Sequence, residues 1–374
     1  MCGTAQAQVR RDGLPVVRDS VRGIPAPGRA MLDPLSIEEA SMLVRQVHTR
    51  NQDATDFLAV RETELPEPGP GEATVRIEAA GVSYGDLLQQ RGVIPGTPKP
   101  PYVPGFDLVG KVERVGPGAG GVHTGQRVAA LVRVGGYGEA LNVPVERLLP
   151  VPDGVEPVSV AAASLNYFIA HQMLHRVARI ERGGKILVHG ASGGVGFAFL
   201  QLAALIGGVE VWGTASAMNA DLLRAHGATP IDYRTEDFTR VVPRGIDAAF
   251  DPVGGRHFRA SHSLLRRGGV MVGYGQNDVL RGDRKNMLVG AVGFLGGIVL
   301  PKLVPDGRRT MFYNAWSLEK AQPHAYREDL AAVLGLVARG LVGPKAVTVL
   351  PLADAAEAFA ALREPGHGKL VLTP

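Results

Sequence analysis

From Phe57 to about Pro150 apolar and polar positions alternate with a period of two in short runs: "FLAVRETELPEPGPGEATVRIEAAGVS", "FDLVGKVERVG" and "QRVAALV". Each run reads as a half-buried strand, and together they predict a small, mostly antiparallel, barrel-like domain. "LPEPGPGE" and "VIPGTPKPPYVPG" are stiff loops in which proline fixes φ. A further strand-like run, "MLVRQVHTR", begins at Met42 and marks the start of the folded domain. Residues 1–41 show no periodicity and are expected to be a disordered extension.

Beyond Pro157 the period changes. "PVSVAAASLNYFIAHQMLHRVARI" has helical spacing, and strand and helix patterns then alternate: "KILVHG" and its helix, "EVWGTAS" and "ADLLRAHGA", "PIDY", "GIDAAFDPVG" with "HFRASHSLLRRGG", and "VMVGYGQ". Such alternation predicts an α/β fold with a doubly wound parallel sheet. Residues 311–374 end in an amphipathic "LADAAEAFAALRE" and a last strand, "KLVLT".

Composition narrows the class. The chain has 374 residues, 45% hydrophobic and 20% charged, enough for about two domains with their own cores. A net charge of +4 without long Lys/Arg runs gives no reason to expect nucleic acid. The single cysteine, Cys2, excludes an intrachain disulfide and a cysteine-based zinc site and fits the cytoplasm. "MLVGAVGFLGGIVLP", 287–301, is too short to span a bilayer and reads as a buried or subunit-facing segment. Residues 1–41 lack an apolar signal core, so secretion is not expected.

The chemistry concentrates in "KILVHGASGGVGFAFLQLAALIGG", 185–208. Three readings are open. In the first, Gly190 makes a tight turn, Gly193 and Gly194 admit a diphosphate, and Gly196 lets the helix pack, so that backbone N–H groups at a helix start hold a dinucleotide. In the second, Ser192 is the nucleophile of a G-x-S-x-G elbow, with Asp251 and His257 or His367 following in order. In the third, the glycines serve packing alone. The strand before the turn, the helix after it and the second strand beyond favour the first. That second strand ends in Thr214-Ala215-Ser216, where an NAD-specific fold would place an acidic residue; small and hydroxyl side chains leave room for a 2′-phosphate, so NADPH is the expected cofactor. Asp251 to Gly254 and Gly273-Tyr274-Gly275 follow later strands of the sheet, at the edge where ligands bind.

"AAGVSYGDLLQQRG" (79–92), "PYVPGFDLVGKVERVGPG" (101–118), "AAASLNYFIAHQMLH" (161–175), "LVHGASGGVG" (187–196) with Gln201, "IDYR" (231–234) and "HGKLVL" (367–372) together resemble the zinc-independent medium-chain dehydrogenase/reductase family, of the quinone oxidoreductase or zeta-crystallin type. The resemblance implies a Rossmann domain, here 166–310, inserted in a GroES-like β-rich catalytic domain formed by 42–165 and 311–374. It also implies a cleft between them and a homodimer. Zinc-dependent relatives carry Gly-His-Glu where this chain has Gly105-Phe106-Asp107, so no metal is expected. His171 and His175 lack the Glu of a zinc-protease helix and read as a solvated or capping pair. The basic residue often found after the second strand is replaced around Ala217-Met218-Asn219.

The resemblance then implies direct hydride transfer from NADPH to a quinone or α,β-unsaturated carbonyl, with no metal and no flavin. Tyr84, Asn166 and Asp86 are the candidate catalytic residues; Tyr84, Tyr167 and Phe312 are candidates to line the acceptor site, where Tyr313 and Trp316 also wall the pocket or fill the domain interface. The cofactor set comprises Gly190, Ala191, Ser192, Gly193, Gly194, Val195, Gly196, Thr214, Ser216, Tyr233, Asp251, Val253, Gly273, Tyr274 and Lys369. The alternative is a non-catalytic NADPH-binding member that associates with RNA or a membrane. A short-chain reductase is excluded, because none of the eight tyrosines has Lys four residues later.

Overall fold

The computed structural model describes residues 41–50, 58–94, 96–281, 284–364 and 366–374. The expected disordered extension therefore lies outside the described residues, apart from Ser41. An antiparallel pair, β1 (Met42–Thr49) and β2 (Leu58–Leu65), opens the fold. It is followed by β3 (Glu72–Val82), α1 (Tyr84–Gln90), β4 (Asp107–Val115), β5 (Arg127–Leu131), β6 (Ala140–Pro144) and β7 (Leu149–Pro150). α2 (Pro157–His171) continues into a π-helical stretch ending at Ala178.

The α/β part comprises β8 (Lys185–Val188), α3 (Gly194–Ile206), β9 (Glu210–Ala215), α4 (Ala220–Ala225), β10 (Ala228–Asp232), α5 (Phe238–Val241), β11 (Ile246–Asp251), α6 (Arg256–Ser263) and β12 (Leu265–Gly273). The short pair β13 (Leu280–Arg281) and β14 (Arg284–Lys285), α7 (Met287–Phe294) and β15 (Arg309–Phe312) complete it. α8 (Ala315–Ala321) and α9 (Ala325–Ala338) then lead to β16 (Val347–Pro351), α10 (Ala355–Ala361) and β17 (Lys369–Thr373).

One sheet of seven strands runs β16-β17-β3-β4-β5-β7, with β6 paired to β3, so the last strand of the chain lies against the third. Its two faces separate by strand parity. Leu108, Val112, Val128 and Ala130 point into one core, while Val109, Ala129 and Leu131 meet Val160, Ala161 and Phe168 of α2 and Tyr326 and Leu330 of α9 on the other. A bulge between Ile77 and Ala79 moves β3 from the first face to the second. The second sheet has the order β10-β9-β8-β11-β12-β15, all parallel, which is the Rossmann arrangement. Helices cover both of its faces, so its strands are apolar throughout rather than alternating. Ile186, Val188 and Phe250 face α2 and α3, and Leu187, Ala249 and Met271 face Phe258 and Leu264.

The structure corrects several expectations. β15 is the sixth strand of the parallel sheet and runs across the boundary set at 310; α2 crosses the one set at 165/166 as a single helix. Leu265 already begins β12, whereas the pattern placed it in the preceding helix. Within 287–301, Gly290, Gly297 and Ile298 are buried, but Met287, Leu288, Val292, Leu295 and Leu300 are exposed, so burial within the protomer does not account for the segment. His171 and His175 lie side by side, 4.4 Å between ring centroids, with His175 exposed and His171 half-buried. His171 Nδ1 lies 3.4 Å from Asp329 of α9, whose Oδ2 accepts from Gln172 at 2.9 Å and Arg176 at 2.6 Å.

α9, which the sequence pattern did not single out, fastens the closing part of the chain to the first sheet. The Tyr326 hydroxyl accepts the Leu131 N–H at 3.0 Å and donates to Arg147 O at 2.8 Å, and the Arg147 guanidinium lies 4.3 Å over its ring. Tyr326→Phe leaves a buried N–H without a partner and should cost about 1–3 kcal/mol. The expected result is a lower urea midpoint at unchanged slope; an unchanged midpoint would show that the hydroxyl carries no such weight.

Candidate active site

The glycine stretch forms a turn that only glycine allows at two places. Gly190 has φ +65°, and a Cβ on Gly196 would overlap Gly190 O and lie 2.7 Å from Ala191 Cα. The N–H of Gly193 donates to Gly190 O at 2.9 Å, and α3 begins at Gly194. Ala191 and Gly196 are buried, whereas Gly190, Gly193 and Gly194 are exposed, so the start of α3 opens outward at the carboxyl end of β8. The first amides of a helix have no intrahelical acceptor and carry the positive end of its dipole, which makes this end suited to an anion. Ser192 and Val195 lie half-buried along the same turn.

Gly194 serves a purpose the sequence did not show. A Cβ there would strike the side-chain amide of Asn166. Asn166 is therefore brought to the turn from the middle of α2. Tyr167, one residue on, meets α3 further along, away from the turn. It is 1% exposed, with its hydroxyl 2.7 Å from Gln201 Oε1 and 2.6 Å from Gly343 O, so it fixes α2 to α3 and is withdrawn from any acceptor site.

The rim of the turn is formed by the ends of β9 and β10. Thr214 is buried, and its hydroxyl accepts the Gly190 N–H at 3.1 Å, so it shapes the turn from within and does not face a ligand. Ser216 is half-buried and accepts from Asn219 Nδ2 at 3.1 Å. Tyr233 is 56% exposed and carries the Arg234 guanidinium 5.6 Å from its ring centroid. Tyr233 N–H donates to Ala215 O at 3.2 Å, which sets Tyr233 beside the end of β9. Arg234, the last letter of "IDYR", is thus an exposed cation beside the end of β9, though it follows β10.

Asp251 is also withdrawn from direct contact. It is fully buried; Oδ1 accepts Val253 N–H at 2.8 Å and Gly254 N–H at 3.3 Å, and Oδ2 accepts from Ser261 at 3.3 Å. Val253 is left half-buried on the turn that Asp251 holds. The serine within reach of both His189 and Asp251 is Ser261, on α6, and Ser192 is not part of that group, so the nucleophile-elbow reading has no assembled triad. Gly273 lets Phe258 and Phe312 approach; a Cβ would lie 2.7 Å from Phe258 Cζ. Phe312 packs edge-on to Phe294, 5.5 Å between centroids, and Tyr274 lies toward Phe199, so both fill the sheet's core layers. Tyr313 is buried and donates to Gln172 Oε1 at 2.7 Å, and Trp316 sits between the guanidinium groups of Arg133 and Arg147 at 4.9 and 5.1 Å.

On the first sheet, Tyr84 opens the short helix α1 rather than lying in a loop, and is 41% exposed. Partial burial pushes its phenol up, so it is protonated at neutral pH. Asp86, two residues on, is buried; its Oδ2 accepts the N–H and hydroxyl of Ser83, each at 2.8 Å, and so caps the helix that presents Tyr84. Burial pushes this carboxyl up as well. Lys369 does not reach toward the glycine turn. Its Nζ is buried, donates to Val82 O at 2.9 Å and faces Asp86 and Asp107; desolvation lowers its pKa against the pull of both carboxylates.

This architecture, an open dinucleotide-type turn on a Rossmann sheet joined to a β-rich domain bearing a phenol, is that of a nucleotide-dependent dehydrogenase. Residues 69–153 match the alcohol dehydrogenase GroES-like domain family, and residues 226–372 match a family described as zinc-binding dehydrogenase. The chain is 31% identical over 325 residues to the synaptic vesicle membrane protein VAT-1 homolog of Mus musculus, spanning 85% of this chain and 80% of that protein. A crystal structure of the human VAT-1 homolog-like protein aligns with a TM-score of 0.74 at 28% identity, over 89% of this chain and 99% of that one. A Pseudomonas syringae quinone oxidoreductase aligns at 0.75 and 25%, over 88% and 100%. A mycobacterial protein solved in complex with NADPH aligns at 0.73 and 27%, over 88% and 100%. The chain belongs to the medium-chain dehydrogenase/reductase family, and its residues fit the zinc-independent quinone oxidoreductase type.

The zinc implied by one family description does not fit the residues at its expected place. Phe106 offers no donor atom, and Asp107 Oδ1 accepts the Gly81 N–H at 2.6 Å. Burial instead raises the Asp107 carboxyl to about 7, with Lys369 and the Gly81 amide opposing the shift and Asp86 adding to it. A carboxyl whose folded pKa lies above its unfolded value of about 3.9 stabilises the fold at low pH, and that contribution is lost as pH rises toward the folded pKa. Asp107→Asn, which keeps an acceptor for Gly81, should remove this dependence. Between about pH 5 and about pH 8 the wild type should lose about 2–3 kcal/mol relative to the variant. Parallel stability curves across that range would show instead that Asp107 stays ionised, held by Lys369.

Proposed function

We propose that this protein is an NADPH-dependent reductase that transfers hydride to a quinone or an α,β-unsaturated carbonyl. The observation that supports this most directly is the exposed start of α3 behind Gly190, with Ser216, Tyr233 and Arg234 on its rim. The residues fit NADPH. Helix amides at 194–196 would take the diphosphate, and Arg234, with Ser216 and Tyr233, would take the 2′-phosphate. Bound NADPH supplies a hydride from C4 of its nicotinamide, a chemistry that needs no metal when the acceptor is already electron-poor.

The chain's own residues hold and polarise. Asn166 presses on Gly194 and fixes the distance between α2 and the turn. The protonated Tyr84 phenol donates a hydrogen bond to the oxygen on which charge develops as the acceptor becomes an enolate or hydroquinone. Asp86 keeps Tyr84 at the head of α1. A second reading, a non-catalytic NADPH-binding protein that associates with a membrane, draws on the exposed Met287, Leu288, Val292, Leu295 and Leu300. No helix among the described residues is long and apolar enough to cross a membrane.

The purified protein should oxidise NADPH in the presence of a quinone or enone, followed by absorbance. NADPH binding without turnover on any such acceptor would favour the second reading. Tyr84→Phe should lower kcat by roughly 10²-fold, with the KM for NADPH little changed; equal turnover would remove Tyr84 from the chemistry. Arg234→Ala should weaken NADPH binding about tenfold and leave NADH binding unaltered, as read by titration calorimetry. Equal losses for both nucleotides would take the 2′-phosphate away from Arg234.

A further inference from the structure

His189, the residue before Gly190, is completely buried at the end of β8. Its Nδ1 lies 3.2 Å from Thr214 Oγ1, and its Nε2 lies 2.9 Å from Ser261 Oγ. At either end of this pair of contacts the hydrogen bonds have a fixed direction. The Gly190 N–H donates to Thr214 Oγ1 at 3.1 Å, and an amide cannot accept in return. Asp251, at the other end, receives the Ser261 hydroxyl on Oδ2 and the Val253 and Gly254 amides on Oδ1.

We infer that His189 is a positioning residue, held as the neutral Nε2–H tautomer in a one-way hydrogen-bond chain that locks the glycine turn to the 251–254 turn. The order follows from the ends. Thr214 Oγ1 accepts from Gly190, and among the described residues its one remaining hydrogen-bond partner, and so the acceptor for its own proton, is His189 Nδ1. His189 carries its proton on Nε2 and gives it to Ser261 Oγ, and Ser261 gives its proton to Asp251. The chain crosses the ends of β9, β8 and β11 and reaches α6. The reverse order would need a protonated Asp251 and would leave the Thr214 hydroxyl proton with no acceptor.

The groups facing His189 are consistent with a neutral ring. Phe238 of α5 packs edge-on at 4.6 Å between centroids, and His257 of α6 packs at 5.3 Å. Burial drives the pKa of His189 down to about 3 and also lowers that of His257, while Asp251 is raised by burial against the pull of His257. His189, Asp251 and His257 have donor atoms within 4.8 Å of one another, as a metal site would. The inferred chain argues against that use, because it places a proton on the His189 nitrogen nearest Asp251 and fills both Asp251 oxygens with donors. His257 Nδ1, buried and without a hydrogen-bond partner, is left outside the chain.

The consequence for function rests on the dinucleotide reading above, but the chain itself does not. On the cofactor-free protein, nitrogen-15 NMR of the imidazole should show Nε2 protonated and Nδ1 bare from about pH 9 down to about pH 7, where Asp251, raised by burial to about 6, is ionised. An Nδ1–H tautomer, or a ring that becomes charged in that interval, would overturn the inference. Stoichiometric zinc binding that is lost in His257→Ala would also overturn it, since the metal would need the Nε2 lone pair. Thr214→Val removes the hydroxyl at nearly constant volume and should raise the KM for NADPH about tenfold with little change in kcat; Thr214→Ser should restore it. Unchanged KM in Thr214→Val, in a wild-type background that does bind NADPH, would refute the positioning role. A wild type that binds no NADPH would defeat the proposed function and leave the tautomer measurement standing.

Discussion

The start of α3 is a set of backbone amides that the helix itself leaves unpaired. Everything around it keeps that set open to the outside. Gly190 reverses the chain in a left-handed conformation, Gly196 lets the turn fold back on the helix without a side chain between, and Gly194 accepts the flank of Asn166 from α2. A side chain at Gly190 would strain the left-handed turn, and one at Gly194 or Gly196 would strike Asn166 or the turn's own backbone. The parallel sheet contributes the rest of the constraint: six strands in one direction bring all their carboxyl ends, and so the loops that follow them, to one edge.

Two buried polar groups brace the loops of that edge and of the first sheet, and they do so by different physics. Around β3 and β17 the group is ionic. Asp86, Asp107 and Lys369 bring two potential negative charges and one positive charge out of water together, so the protonation of Asp107 settles the balance near neutrality. Around β8 and β11 the group is a run of hydrogen bonds between neutral side chains that ends on Asp251. The first arrangement responds to pH. In the second the imidazole, with a pKa driven to about 3, does not gain a charge under ordinary conditions, and the group that titrates is the terminal Asp251 carboxyl, which burial raises to about 6. Each is placed to hold a loop, α1 with Tyr84 in one case and the Gly190 turn in the other.

Much of the fold was legible because its signals are local. Period-two runs became β3, β4 and β5, and the alternation after Pro157 became a doubly wound sheet in the expected direction. What the pattern lost were elements defined by their neighbours. β15 is four residues long and is a strand only because β12 lies beside it. Leu265 has no intrinsic reason to leave a helix, but it pairs with Ile246. α9 has a buried face whose purpose is visible only when Tyr326 meets Leu131. In the candidate site, glycine positions were readable because a missing Cβ has a conformational meaning in sequence. Side chains were harder. Thr214, Asp251 and Lys369 at strand ends and Tyr167 in α2 have the right chemistry, yet each turns its polar atoms inward to a backbone or side-chain partner.

That inward turn follows from where these residues sit. The carboxyl ends of parallel strands carry loops whose amides and carbonyls are only partly paired by the sheet, and buried polar groups of this kind must find partners. Side chains at the strand termini, such as Thr214 and Asp251, are the nearest supply, so they are committed to the scaffold first. Residues one or two positions further out, Ser216, Tyr233 and Arg234 beyond β9 and β10, escape that demand and remain exposed or half-exposed. The side chains left free to meet a ligand are therefore the second rank of loop residues, where hydrophobic periodicity has ended and sequence alone carries the least positional information. Arg234 shows the cost: it is an exposed cation that comes to lie near the end of β9 from the neighbouring strand's loop, a placement that is apparent only once β9 and β10 are known to be adjacent.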